Sequence, residues 1–130
     1  MRIESEKAEI NKSSAEVFAF LSNFNNFQKI MPPQVVDWTS TEDDCHFKIS
    51  GMASIGLKIV ERTPNTLLKI ISYGKSPIAF NLNIHITETA PDKCTGQLIC
   101  EADLNPMMAM MVEKPLKNFF NLLAGKMKEL

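Results

Sequence analysis

Residues 78–87 read IAFNLNIHIT. Ile78, Phe80, Leu82, Ile84 and Ile86 alternate with Ala79, Asn81, Asn83, His85 and Thr87. A period of two over ten residues predicts a strand with one dry face and one wet face, the pattern of an antiparallel sheet covered on one side only. Working outward, the same period recurs. CHFKISG at 45–51 sets Cys45, Phe47 and Ile49 against His46, Lys48 and Ser50. ASIGLKIVERT at 53–63 sets Ile55, Leu57 and Ile59 against Lys58 and Arg62. VVDWTSTE, LLKIISYG and TGQLICEADL complete the series, with Leu98, Cys100, Ala102 and Leu104 sharing one face of the last. EDD, TPNT, GKSP and APDKC supply turn chemistry between them. Short turns between consecutive strands imply hairpins and an antiparallel sheet.

What covers the dry face is read from the two ends. Arg2 to Ile10 lacks turn residues and reads as a first strand. In NKSSAEVFAFLSNFNNFQKI the period changes. Ser13 and Glu16 stand at capping-box spacing, Val17, Phe20 and Leu21 fall on one side, and Phe24 and Phe27 anchor a second short helix that Pro32 and Pro33 close. At the other end, Asn105 is a good N-cap and Pro106 a favoured first helical residue. At roughly 100° per residue, Met108, Met111, Val112, Pro115, Leu116, Phe119, Phe120, Leu122, Leu123, Met127 and Leu130 form one stripe, with Glu113, Lys117, Asn121, Ala124 and Lys128 opposite and Met110 on the polar side. Such a helix must press its stripe on the sheet, and Pro115 should bend it to follow a curved one. The fold class expected is α+β, with about seven antiparallel strands wrapped around a long C-terminal helix and helices segregated to one face. The methionines at 107, 108, 110 and 111 either fill the core or form an adaptable wall for an apolar guest.

The totals narrow the function. The 130 residues, read here as one domain over 1–130, are 45% hydrophobic and 22% charged, with a formal net charge of −1. That balance supplies no electrostatic reason for a nucleic-acid or acidic-membrane partner. No apolar run is long enough for a membrane span. MRIESEKAEINKSS is charged where a signal peptide needs an apolar stretch, so a cytoplasmic location is expected. Three cysteines, an odd number without CxxC spacing, argue for reduced thiols over a disulfide framework or a zinc site.

This order of elements resembles the START-like, or SRPBCC, superfamily and its helix-grip fold over nearly the whole chain. INKSSAEVFAFLSNFNNFQKIMP is similar to the family's strand-to-helix entry and its proline-ended second helix. VVDW, the hairpin series FKISGMASIGLKIVERTPNTLLKIIS and the closing amphipathic helix extend the likeness. The resemblance implies a pocket between the curved sheet and the last helix. By position, the candidates for its wall are Phe27, Met31, Trp38, Phe47, Ile55, Leu57, Ile70, Leu82, Ile84, Cys100, Met108, Met111, Val112 and Phe119. The function it implies is binding, transport or sequestration of a small hydrophobic molecule such as a lipid or polyketide. The alternatives are a polyketide-cyclase or dehydratase type of enzyme, and a protein-interaction module with a vestigial cavity docking through the Met-rich start of the last helix.

Catalysis would require titratable groups on the dry face, and the alternation mostly denies them. His46 and His85 fall opposite their apolar neighbours, so neither a metal site nor a Cys–His nucleophile is expected, and no cofactor. In the first strand, strict alternation from Ala8 and Ile10 would carry Glu4 and Glu6 inward as an acid–base pair, unless a bulge intervenes or the strand end lies in water. Asp103, Arg62 and Tyr73 are candidates for a pocket rim. GMASIG at 51–56 lacks the ending and the context of a phosphate loop; Gly51 reads as a hairpin turn and Gly56 as a bend or bulge.

Overall fold

A computed structural model describes residues 1–50, 54–74 and 78–130. The first strand is two: β1 (Arg2–Glu4) and β2 (Ala8–Ile10). Helices α1 (Ser14–Leu21) and α2 (Phe24–Phe27) follow, and a 3-10 turn (Gln28–Ile30) continues from α2. Six strands come next: β3 (Val35–Ser40), β4 (Asp44–Ile49), β5 (Ser54–Thr63), β6 (Leu67–Ser72), β7 (Phe80–Ala90) and β8 (Lys93–Ala102). Helix α3 (Pro106–Met127) closes the chain. All the pairings are antiparallel, in the order β1-β8-β7-β6-β5-β4-β3, with β2 also on β8. The α+β helix-grip architecture expected from the sequence is the one observed, with eight strands because the first one breaks.

The break is a bulge. Glu4 pairs with Ile99 and Ala8 with Gly96, so the three residues 5–7 face only two on β8. The extra residue reverses the parity of the strand, which lets Ile3, Ala8 and Ile10 all be buried while Glu4 and Glu6 stay exposed. Ser5 pins the bulge: its N–H donates to the Leu98 carbonyl at 2.9 Å and its Oγ accepts from the Leu98 N–H at 3.0 Å. Three further register shifts interrupt the ladder among the described residues, one of them between Glu88 and Ala90 on β7. The others lie between Val36 and Thr39, where Asp37 has φ 55°, and between Ile59 and Glu61. Gly56, expected at a bend or bulge, instead sits in regular register opposite His46. Gly51, and residues 75–77 of the GKSP turn, lie outside the described residues.

Local chemistry sets the helix starts. The Ser13 hydroxyl accepts from the Glu16 N–H at 3.1 Å and caps α1, and Asn105 accepts from the Met108 N–H at 2.9 Å to cap α3. Helix α3 runs unbroken through Pro115, and its buried face is rotated from the predicted stripe. Phe119, Phe120, Leu123, Ala124 and Met127 are buried, while Met108, Met111, Pro115 and Leu122 are exposed. Ala124, placed on the polar side by the wheel, is 1% exposed. The rotation follows from where the helix lies, against β1, β2 and β8 at one side of the sheet. A small residue at 124 permits the close approach.

Candidate functional site

The inner face of the sheet divides in two along its length. In one half Val17, Leu21 and Phe24, with the Phe24 and Phe27 rings at 5.1 Å, complete a core that includes Leu68, Ile84 and Leu98, each fully buried. Of α1 and α2, only Phe27 at the end of α2 borders the other half. There the middle of α3, from Val112 to Leu123, faces the ends of β4, β5, β7 and β8 across a cavity of about 100 Å3.

The walls come from every layer. Phe47 and Ile49 project from β4, Ile55 and Leu57 from β5, Phe80 and Leu82 from β7, Cys100 and Ala102 from β8. Helix α3 supplies Val112, Leu116, Phe119, Phe120 and Leu123. Phe27 closes the inner end, and Met1, Met31, Ile78 and Leu104 complete the lining. Nine of the fourteen residues expected from the sequence therefore surround one space: Phe27, Met31, Phe47, Ile55, Leu57, Leu82, Cys100, Val112 and Phe119.

The other five stand elsewhere. Ile70 and Ile84 are 0% exposed and packed in the core. Trp38 stacks on Phe47 at 5.2 Å and 21°, behind the wall rather than in it, and its Nε1–H is buried without a hydrogen-bond partner among the described residues. Met108 and Met111 are turned to solvent at 41% and 72% exposure. The reason is the same helix rotation: with Phe120 and Ala124 directed at the sheet, Val112 and Leu116 reach the cavity and Met111 cannot. Of the residues not expected, Phe80 and Leu116 already carried the right signal, since each lies on an apolar face near an end of its element. Ile78 carried it too, as the first residue of the alternation that continues through β7, whereas Met1 flanks β1 and no periodicity marks it.

The site's electrostatics are nearly blank. Among the described residues Cys100 is the only lining side chain that titrates, and burial pushes its thiol up to about 11, helped by the neighbouring Glu101 carboxylate. Cys45, buried beneath β4, is raised to about 12, again mainly by burial, against a hydrogen bond from the Leu57 backbone. Such thiols are neutral at physiological pH and poor nucleophiles. The histidines face outward: His46 leans on Tyr73 with ring centroids 5.8 Å apart, and His85 is exposed. Among the described residues no three His, Cys, Asp or Glu side chains converge as metal ligands, and no helix is long and apolar enough to cross a membrane. Arg62, a rim candidate, lies at the far end of the sheet. Its guanidinium donates to the Ser22 carbonyl at 2.8 Å and pairs with Asp43 at 2.7 Å. Asp103 borders a separate shallow groove together with Asn81 and Glu101. What remains is a space suited to apolar contact.

The sequence matches no protein-family model and no curated protein. Solved structures are similar over nearly the whole chain. A START superfamily protein from Mycobacterium smegmatis is 12% identical with a TM-score of 0.70, covering 98% of this chain and 97% of that one. A norcoclaurine synthase point mutant from Thalictrum flavum, in complex with a transition-state analogue, is 13% identical at TM-score 0.76, covering 99% and 92%. The protein XoxI from Bacillus cereus is 10% identical at TM-score 0.77, covering 98% and 93%. These likenesses and the arrangement described above show that the chain has the START-like helix-grip fold.

Proposed function

We propose that the protein binds a small apolar molecule, or the apolar part of an amphiphile, in the cavity between the sheet and α3. The observation that carries this reading is the cavity itself. At about 24 cal/mol per Å3, an empty apolar space of about 100 Å3 costs roughly 2 kcal/mol. In the other half of the same core Leu68, Ile84 and Leu98 are 0% exposed, and here a guest would recover the cost. A dry cavity of similar size accepts a single aromatic ring, and a longer tail would require Met1, Met31 or Leu116 to turn aside. The norcoclaurine synthase solved with its transition-state analogue supports ligand occupancy in this fold. Binding is favoured over turnover because the described wall residues are apolar apart from the Cys100 thiol, and a buried thiol near pKa 11 is a weak nucleophile. Three buried, unpaired cysteines favour a reducing compartment, the cytoplasm.

The test is titration with a visible-fluorescence fatty-acid analogue, displaced by unlabelled medium-chain fatty acid. The expected outcome is saturable binding of micromolar order, close to 8 kcal/mol. Leu116→Trp, which fills the space, should weaken it at least tenfold while leaving the circular dichroism unchanged. Met111→Trp, on an exposed side chain, should bind as wild type. Failure of the wild-type protein to bind any apolar probe, or equal affinity in a folded Leu116→Trp protein, sinks the proposal.

A further inference from the structure

Helix α3 is anchored over only half its length. Phe119, Phe120, Leu123, Ala124 and Met127 are buried, and the Asn121 side chain accepts from the Glu6 N–H at 2.9 Å. Between Pro106 and Asn118 no residue is buried. Ala109, Val112 and Leu116 are half-buried, at the spacing of one helix face, and the rest are exposed. Among the described residues this stretch makes no hydrogen bond or ion pair with any other strand or helix; the Asn105 cap on the Met108 N–H lies within the helix start.

Pro115 stands where the two halves join. It has no N–H, so the Met111 carbonyl loses its rung of the helix, and the proline ring crowds that carbonyl. A helix bends most readily at such a residue. At the other end of the unanchored stretch, residues 103–105 are non-helical chain between β8 and the first turn of α3. The stretch borders the cavity through Leu104, Val112 and Leu116. The strands that face it are held by ladder bonds, β4 to β5 and β7 to β8. The helical wall is therefore the one with the fewest interactions to break.

We propose, on the reading of that cavity as the ligand site, that Pro106 to Lys114 is a lid hinged at Pro115 and in the 103–105 connection. Its outward swing withdraws Leu104 and Val112 and opens the cavity to the guest. The swing gives up the burial of side chains that are only half-buried. The five anchoring residues, the bond to Asn121 and the pairing of β8 all stay in place. Opening is then a local fluctuation of the closed fold, separate from global unfolding. A guest lying against Val112 favours the closed lid, because closure covers its apolar surface.

Amide hydrogen exchange of the ligand-free protein, resolved by residue, reads the lid directly. Residues 110–114 should exchange at one common rate, about a hundredfold faster than residues 119–124, with the step at Pro115. A helix end that merely frays gives instead a smooth gradient rising toward Met107. Pro115→Ala restores the missing rung at an exposed position and should slow exchange of 110–114 by roughly tenfold or more. In stopped flow, the same variant should slow association and dissociation of the fluorescent fatty-acid analogue by a common factor, leaving Kd within about twofold, because the closed form is stabilised with and without the guest. A smooth gradient through Pro115, or exchange and ligand rates indifferent to Pro115→Ala, overturns the proposal. Stepwise exchange in a protein that binds no apolar probe would refute the ligand reading alone, since the moving segment would still have been shown.

Discussion

The terminal methyl carbon of Met127 lies 2.6 Å from the point where a Cβ on residue 96 would stand. Gly96 on β8 is thus the notch into which the last turn of α3 inserts, with Ile10 Cδ1 at 3.5 Å beside it. The contact fixes where the helix rests on the sheet, and through it which helix face reaches the cavity.

Two glycines should respond differently to one added methyl. In Gly96→Ala the obstacle is the far end of a flexible methionine, which can swing away, so a loss of about 1–2 kcal/mol is expected. In Gly56→Ala the new methyl would collide with the Tyr73 backbone carbonyl, with the His46 ring at 2.9 Å on its other side. Neither can yield without opening the β4–β5–β6 ladder, so the loss should exceed about 3 kcal/mol. Urea unfolding midpoints decide it; equal losses would contradict the assignment of the two contacts.

Stability should fall in alkali through the buried thiols. An unfolded cysteine ionises near its ordinary value of 9.0, whereas burial holds Cys45 near 12 and Cys100 near 11. The folded state therefore keeps protons that the unfolded state loses. The contribution is fully present below about pH 9 and declines above it by up to about 1.4 kcal/mol per pH unit per thiol. Denaturant unfolding between pH 8 and pH 10.5 should show that slope, and Cys45→Ala should flatten it. An identical slope in the variant would remove Cys45 as its source.

Arg62 ties three separate pieces of chain together: β5, the end of α1 at Ser22 and the β3–β4 turn at Asp43. Arg62→Ala should cost about 1–2 kcal/mol, mostly through the Ser22 carbonyl left without its donor. Asp43→Asn should cost under about 0.5 kcal/mol, because that carboxylate is 63% exposed and water screens the pair. Thermal melts at low and high salt separate the two contributions; a larger loss in Asp43→Asn would reverse the ranking.

Strand existence and order were legible because the dry face leaves a period of two in each strand of the ladder, most plainly in Phe80, Leu82, Ile84 and Ile86. The helix caps were legible because Ser13 and Asn105 act on amides within three residues. The acid–base pair at Glu4 and Glu6 depended on unbroken alternation. The bulge that exposes both is held by Ser5 to Leu98 and by Glu6 N–H to Asn121 at 2.9 Å, partners 93 and 115 residues away. Met108 and Met111 were assigned by the wheel, which gives relative angles along α3 but no absolute rotation.

What the sequence determined alone is the inventory: an α+β chain with a half-dry antiparallel sheet, two short capped helices and a long amphipathic one, because these follow from periodicity and contacts within a few residues. The tertiary structure alone decided how the sheet breaks at residues 5–7, how α3 is rotated, and which nine of fourteen expected residues share a cavity. Those outcomes depend on contacts such as Gly96 with Met127 and Ser5 with Leu98, made between segments far apart in the chain, where no local pattern records the match.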